Sequence, residues 1–171
     1  MLVYAGYEIL NSYQYIMRFK KGSKVEVLCK KDVSVGAWRC AEIILDGGDT
    51  YRVRCEPTSG MSNGKVVEGV PSTNIRPCPP RVESVTNWAP GDILEVLDAG
   101  SWKTATVLNV MEGDCYLIRI LGSFQEFKVH LSKTRLRQTW KDDKWLILGK
   151  VNFLTVLTFF RSYCLLTMFN Y

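Results

Sequence analysis

The stretch GAWRCAEI, residues 36–43, and the stretch GSWKTATV, residues 100–107, share one pattern, G-x-W-[RK]-x-A-x-[IV]. Each sets a tryptophan, a cation and then a small residue at the head of an apolar run of strand type. The match extends outward on both sides. GSKVEVL from Gly22 aligns with GDILEVL from Gly91, which sets Glu26 on Glu95 and Leu28 on Leu97. YRVR at 51–54 aligns with YLIR at 116–119, and NIRP ending at Pro77 falls near RLRQ ending at Gln138. These landmarks keep one order, at offsets of 61 to 69 residues, so the chain contains an internal repeat.

Each copy reads as five short strands. In the first, KVEVLC, WRCAEIIL, YRVRC, GKVVEGV and NIRP are separated by turn signals, among them DGGD at 46–49. In the second, DILEVLD, WKTATVLNV, CYLIRILG, FQEFKVH and TRLRQ follow the same plan, with the turn MEGD at 111–114. Five strands joined by tight turns predict an all-β protein of two tandem, small, bent antiparallel barrel-like modules. The boundaries read as an ill-defined leader over 1–17, module 1 over 18–80, a linker over 81–87, module 2 over 88–145 and a hydrophobic tail over 146–171. Four prolines between residues 77 and 90 make the connection stiff and extended. Modules of this size are marginal alone and are expected to lean on each other.

The tail, VNFLTVLTFFRSYCLLTMFNY at 151–171, is the most apolar stretch. Three readings stand: a membrane anchor, a buried extra element, or sequence that is not native coding. Arg161 in its middle counts against an anchor, so a membrane partner is not expected. The Val-Asn pair after Lys150 can be encoded by a sequence resembling the start of an intron, which favours the third.

The composition narrows the chemistry. Six cysteines show no C-x-x-C spacing and the chain has one histidine, His130. No metal site follows, and no cofactor is expected. No secretory signal is evident, so the thiols read as core residues in a reducing compartment. No nucleophile elbow, phosphate loop or spaced carboxylate pair is present, and the chain is read as a non-enzyme. The net charge is +5; residues 18–80 hold 11 Lys/Arg against 7 Asp/Glu, and residues 81–150 hold 10 against 9. Arg18, Lys20, Lys21, Lys24, Lys30 and Lys31 crowd the start of module 1. Lys133, Arg135, Arg137, Lys141 and Lys144 crowd the end of module 2. Such groups suit RNA or DNA phosphates, with Trp140 and Trp145 available for base stacking, and equally suit a solvated face.

FKKGSKVEVL, GAWRCAEII, YRVR and NIRPCPP together resemble an Agenet module, a plant member of the Tudor-like Royal superfamily. The resemblance runs from about Phe19 to Pro80 and again from Trp88 to Trp140. RQTWKDDKWLILGK is also similar to a group of small plant Tudor-like proteins with RNA binding ascribed to them. The resemblance implies tandem five-stranded barrels that bind a histone or other protein tail, methylated on lysine or arginine, in an aromatic cage with an acidic wall. A methylammonium keeps its charge and sheds strong hydration, so aromatic faces attract it by about 0.5–2 kcal/mol each. On this reading Trp38 and Trp102 are cage walls or barrel caps, Tyr51 and Tyr116 are second walls or core, and Asp32 and Asp98 are acidic-wall candidates. The resemblance also implies a chromatin-associated protein in the nucleus, with the cytoplasm open to it. The family's methyl-lysine readers carry an aromatic in the loop before this tryptophan, where Ser34 stands here between Lys30, Lys31 and Trp38. The second loop, LDAGSW, has none either, so the missing ring would come from a neighbouring module or from a distant residue such as Phe124 or Phe127. Two other functions stay open: RNA or DNA binding through the basic face, and a scaffold without a ligand pocket.

Overall fold

The computed structural model describes residues 19–29, 35–56, 66–80, 82 and 87–148. The leader, Arg18, the loop 30–34 with Lys30, Lys31, Asp32 and Ser34, and the tail from residue 149 lie outside the described residues.

The chain folds as the repeat predicts, into two five-stranded antiparallel units. In module 1, β1 (Lys24–Cys29), β2 (Ala37–Asp46), β3 (Thr50–Cys55) and β4 (Val67–Pro71) form a meander, and β5 (Ile75–Pro77) returns to β1. In module 2, β6 (Ile93–Asp98), β7 (Ser101–Met111), β8 (Cys115–Ile120) and β9 (Glu126–His130) repeat the meander, and β10 (Thr134–Arg135) returns to β6. A single 3-10 turn, Ser72–Asn74 or Leu131–Lys133, precedes each closing strand. These closing strands pair Arg76 with Glu26 and Arg135 with Glu95. Arg76 therefore matches Arg135, two residues away from the alignment the sequence suggested.

Curvature comes from the long second strand of each module. β2 breaks register between Ile43 and Leu45, and β7 between Val107 and Asn109, the same place in both copies. A bulge there bends and twists the strand, so that it serves two differently oriented neighbours. The cores are separate. Val25, Val27, Ala41, Ile43, Tyr51 and Val53 fill one, and Leu94, Val96, Ala105, Val107, Tyr116 and Ile118 fill the other. The small residues of the opening motif, Ala41 and Ala105, are fully inside.

The modules are joined by main-chain pairing. The first residues of β2 pair antiparallel with the first residues of β7, Ala37 with Lys103, Trp38 with Trp102 and Arg39 with Ser101. The chain thus runs as one 10-stranded sheet through the junction. The two copies of the opening motif are the two sides of that joint. Each is entered through a glycine in the left-handed region, Gly36 at φ 81° and Gly100 at φ 76°. A side chain at Gly36 would also meet the Leu28 methyl at 2.8 Å.

Beyond the repeat, β11 (Arg137–Lys141) and β12 (Lys144–Leu148) form a separate hairpin. Its two turn residues, Asp142 and Asp143, both have positive φ, as a type I′ turn requires. β12 continues to Leu148, so the second unit with its hairpin extends past residue 145.

Candidate functional site

Strand alternation puts Val25 and Val27 into the module 1 core, and hence Glu26 on the opposite face, toward module 2. The same alternation turns Glu95 toward module 1. Both carboxylates are nearly inaccessible to water. Such burial demands partners, and the closing strands deliver them. Arg76 Nε donates to Glu26 at 2.9 Å, and Arg135 Nε donates to Glu95 at 2.6 Å. The pairs also cross the junction: Arg135 Nη1 donates to Glu26 at 2.8 Å, and Arg76 Nη2 lies 3.7 Å from Glu95. Burial pushes the Glu95 carboxyl up, against the pull of Arg135 and Arg76. Burial likewise lowers the Arg76 guanidinium, opposed by Glu26 and Glu95.

The tryptophans of the motif cover this tetrad. The Arg76 guanidinium stacks on Trp38, 3.7 Å from the ring centre, and that of Arg135 stacks on Trp102 at 4.0 Å. The aromatic-plus-cation arrangement expected of a ligand is thus already made by the chain's own arginines. The hairpin closes over one side: Arg76 Nη1 donates to the Gln138 carbonyl at 2.9 Å, and Arg76 also faces Trp145 at 5.1 Å.

A cavity of about 740 Å³ opens beside the tetrad on the module 2 side. Trp102, Trp88, Leu131 and Leu136 supply its apolar lining, and Glu26, Arg135 and Gln138 its polar lining. The Gln138 Oε1 atom is buried without a donor among the described residues. Trp88 is fixed by its Nε1, which donates to Thr134 Oγ1 at 3.0 Å.

The other sequence candidates are distributed differently. Tyr51 and Tyr116 lie in the two cores, where the Tyr51 hydroxyl accepts from the Phe19 amide at 3.2 Å and the Tyr116 hydroxyl from that of Trp88 at 3.5 Å. Neither ring reaches the junction cavity as a second wall. Asp98 is paired with Lys103 Nζ at 2.7 Å. Phe124 is fully exposed, and Phe127 packs against the module 2 core. Arg135, expected on a nucleic-acid face, is committed to the tetrad because its partners Glu26 and Glu95 are buried. Arg137 is half-buried on β11; Lys20, Lys21, Lys24 and Lys133 are exposed, with Lys24 paired to Glu42 at 3.1 Å. Glu26, Glu95, Arg76, Trp88 and Gln138 were not singled out by sequence. A signal existed for the glutamates, which recur between apolar neighbours at the same place in both copies.

This architecture, two bent five-stranded antiparallel units locked through their second strands, is an all-β tandem repeat. Residues 22–80 match the family described as Agenet domain, and the chain has the fold of a tandem Agenet unit. The crystal structure of Arabidopsis thaliana AGDP1 AGD34 superposes with a TM-score of 0.67 at 24% identity, over 75% of this chain and 89% of that one. Two Arabidopsis thaliana proteins are similar in sequence. Protein AGENET DOMAIN (AGD)-CONTAINING P1 is 27% identical over 130 residues, 75% of this chain and 25% of the relative. DUF724 domain-containing protein 6 is 27% identical over 134 residues, 74% of this chain and 19% of the relative. The chain therefore spans a quarter or less of the length of these relatives. Agenet domains are in general reader modules for marks on histone or other protein tails.

Proposed function

We infer that the chain is a non-enzymatic, chromatin-associated binding module of the nucleus that takes a histone or other protein tail, methylated on lysine or arginine, at the module junction. One observation carries this: the cavity beside Trp102 combines two indoles, Trp102 and Trp88, with the apolar side chains of Leu131 and Leu136 and the Glu26 carboxylate. Apolar and aromatic walls suit the methyl groups and the aliphatic stem of a modified side chain. The tetrad of two glutamates and two arginines sums to zero charge, so general cation attraction at the cavity is weak. Selectivity then rests on shape and on the aromatic faces.

Calorimetric titration of the full chain with paired methylated and unmethylated histone-tail peptides, and with single-stranded RNA, at low and physiological salt, tests the reading. Methyl-dependent binding that persists at physiological salt is expected. RNA binding that fades with salt and ignores methylation would transfer the site to exposed lysines such as Lys20, Lys21 and Lys133.

A further inference from the structure

The two modules treat one equivalent edge differently. β4 pairs with β3 alone and β9 with β8 alone, so each is an edge strand. The Cys55 amide donates to the Val66 carbonyl at 3.0 Å, and the Ser72 amide to the Asp49 carbonyl at 2.9 Å. These bonds phase the ladder. Bonded pairs alternate, so Tyr51–Val70 and Val53–Glu68 are bonded, and Val67 and Gly69 turn their N–H and C=O outward. In module 2 the Leu131 amide donates to the Asp114 carbonyl and the Ile120 amide to that of Gln125, which gives the outward positions to Glu126 and Lys128. Charged side chains on an edge deter strand addition. Module 1 has valine and glycine in their place, and Val67 and the preceding Val66 are both exposed.

The arginines beside these edges differ in the same way. Arg119 on β8 stands opposite Glu126, and its Nε donates to that carboxylate at 2.8 Å. Its repeat equivalent, Arg54, stands opposite Val67, and the exposed Arg52 stands opposite Gly69. Glu42, in register with Arg54 on β2, is held by Lys24 at 3.1 Å. Glu68 faces the core side, where it accepts from the Cys55 thiol at 2.9 Å; burial and this bond raise that thiol to about 12. Gly69 itself is not required by the fold. The register of β3 and β4 is unbroken, and a Cβ at Gly69 would meet only the Thr50 methyl, at an ordinary 3.5 Å. A strand glycine with no bulge and no crowding suits the close approach of another backbone. We infer that β4 is a docking edge for an extended acidic peptide of a partner protein, which adds as a further strand. Its main chain pairs with Val67 and Gly69, and its carboxylates, at alternate positions, reach over Gly69 to Arg52 and Arg54. Main-chain pairing supplies affinity and the arginines supply selectivity. An alternating row of donors and acceptors suits a peptide better than a nucleic acid, whose phosphates only accept. None of these residues lines the junction cavity, so the edge is independent of the tail site.

The full chain is titrated with a synthetic peptide of alternating glutamate and valine, and its amides are followed by heteronuclear NMR and hydrogen exchange. Slowed exchange is expected at Val67 and Gly69, with Glu126 and Lys128 unchanged. Gly69→Pro removes one outward donor where an edge strand tolerates proline, and should weaken binding by roughly two- to tenfold. Arg52→Glu, at an exposed site that the fold does not need, should weaken it by about fivefold. Lys128→Ala should leave it unchanged. Equal binding of an alternating lysine–valine peptide would overturn the charge selection and the partner it names. Equal binding of the acidic peptide N-methylated at every residue would overturn strand pairing. Tighter binding of a single-stranded oligouridylate at the same amides would assign the edge to nucleic acid instead. Protection of Val67 and Gly69 that rises with protein concentration, without peptide, would assign it to a second copy of the chain and overturn the proposal equally.

Discussion

Glu26→Gln tests the tetrad as the device that makes two marginal modules one unit. The substitution keeps the shape of the side chain and removes its charge. Glu26 receives Arg76 Nε at 2.9 Å, Arg135 Nη1 at 2.8 Å and Arg135 Nη2 at 3.3 Å, and Arg76 Nη2 lies at 2.7 Å. Arg76 is only 5% exposed in its side chain, and its next carboxylate is 3.7 Å away. Removing one partner from a buried charged group costs about 3–5 kcal/mol, a large share of the roughly 5–15 kcal/mol that stabilises a native chain. Glu95 holds one short contact, Arg135 Nε at 2.6 Å. Loss of one charge-assisted bond costs about 1.5–3 kcal/mol, so Glu95→Gln should do less damage although the two residues are repeat equivalents. Urea unfolding followed by tryptophan fluorescence and circular dichroism measures both. The expected order is wild type, Glu95→Gln, Glu26→Gln, with a Tm drop for the last of roughly 6–20 °C. A Glu26→Gln cost under about 1 kcal/mol, or a larger cost for Glu95→Gln, would refute the inter-module role given to these contacts.

Three further outcomes follow from single sites. Burial raises the folded-state carboxyl of Glu95 above its ordinary 4.5, so the protonation-linked part of its contribution, separate from the lost Arg135 contact, is largest below that pH and declines as pH rises through the folded value. Unfolding at pH 7 and pH 4 should show wild type gaining on Glu95→Gln as pH falls, and parallel profiles would contradict the burial argument. With its thiol at about 12, Cys55 is ionised to only about 10⁻⁴ at pH 8, and iodoacetamide should label Cys40 well before it; equal labelling rates in the folded chain would count against this. Ala99 sits at φ 47° before Gly100 in the two-residue turn between β6 and β7. Ala99→Asn should raise stability by about 0.5–1 kcal/mol, since asparagine tolerates this region and Asn-Gly suits the turn, and a lowered Tm would show the turn to be misread.

The fold was legible because its signals are local and occur twice. Strand periods, DGGD and MEGD, and the glycine before each tryptophan all act within one module. The hairpin of β11 and β12 was missed, since Asp142-Asp143 is a less familiar type I′ pair than Asp-Gly, although RQTWK and KWLIL flank it. The junction was beyond reach for another reason. Trp38 and Trp102 look like a free strand end until β2 is seen paired with β7, a contact between residues 64 positions apart. Arg135 looked solvated because its position among basic neighbours is visible in sequence, whereas the two carboxylates that bury it come from other strands. Tyr51 and Tyr116 follow the period-2 pattern of half-buried strands, and only the packed cores show which half is theirs.

The most direct test of the junction as the binding site is a heteronuclear titration of the full chain with the methylated histone-tail peptide, read at the indole N–H signals of its five tryptophans. The account predicts shifts at Trp88 and Trp102 and at the Gln138 side-chain amide, with the amides of Lys20, Lys21 and Lys24 unmoved. Shifts confined to those lysines, with Trp88 and Trp102 silent, would contradict it.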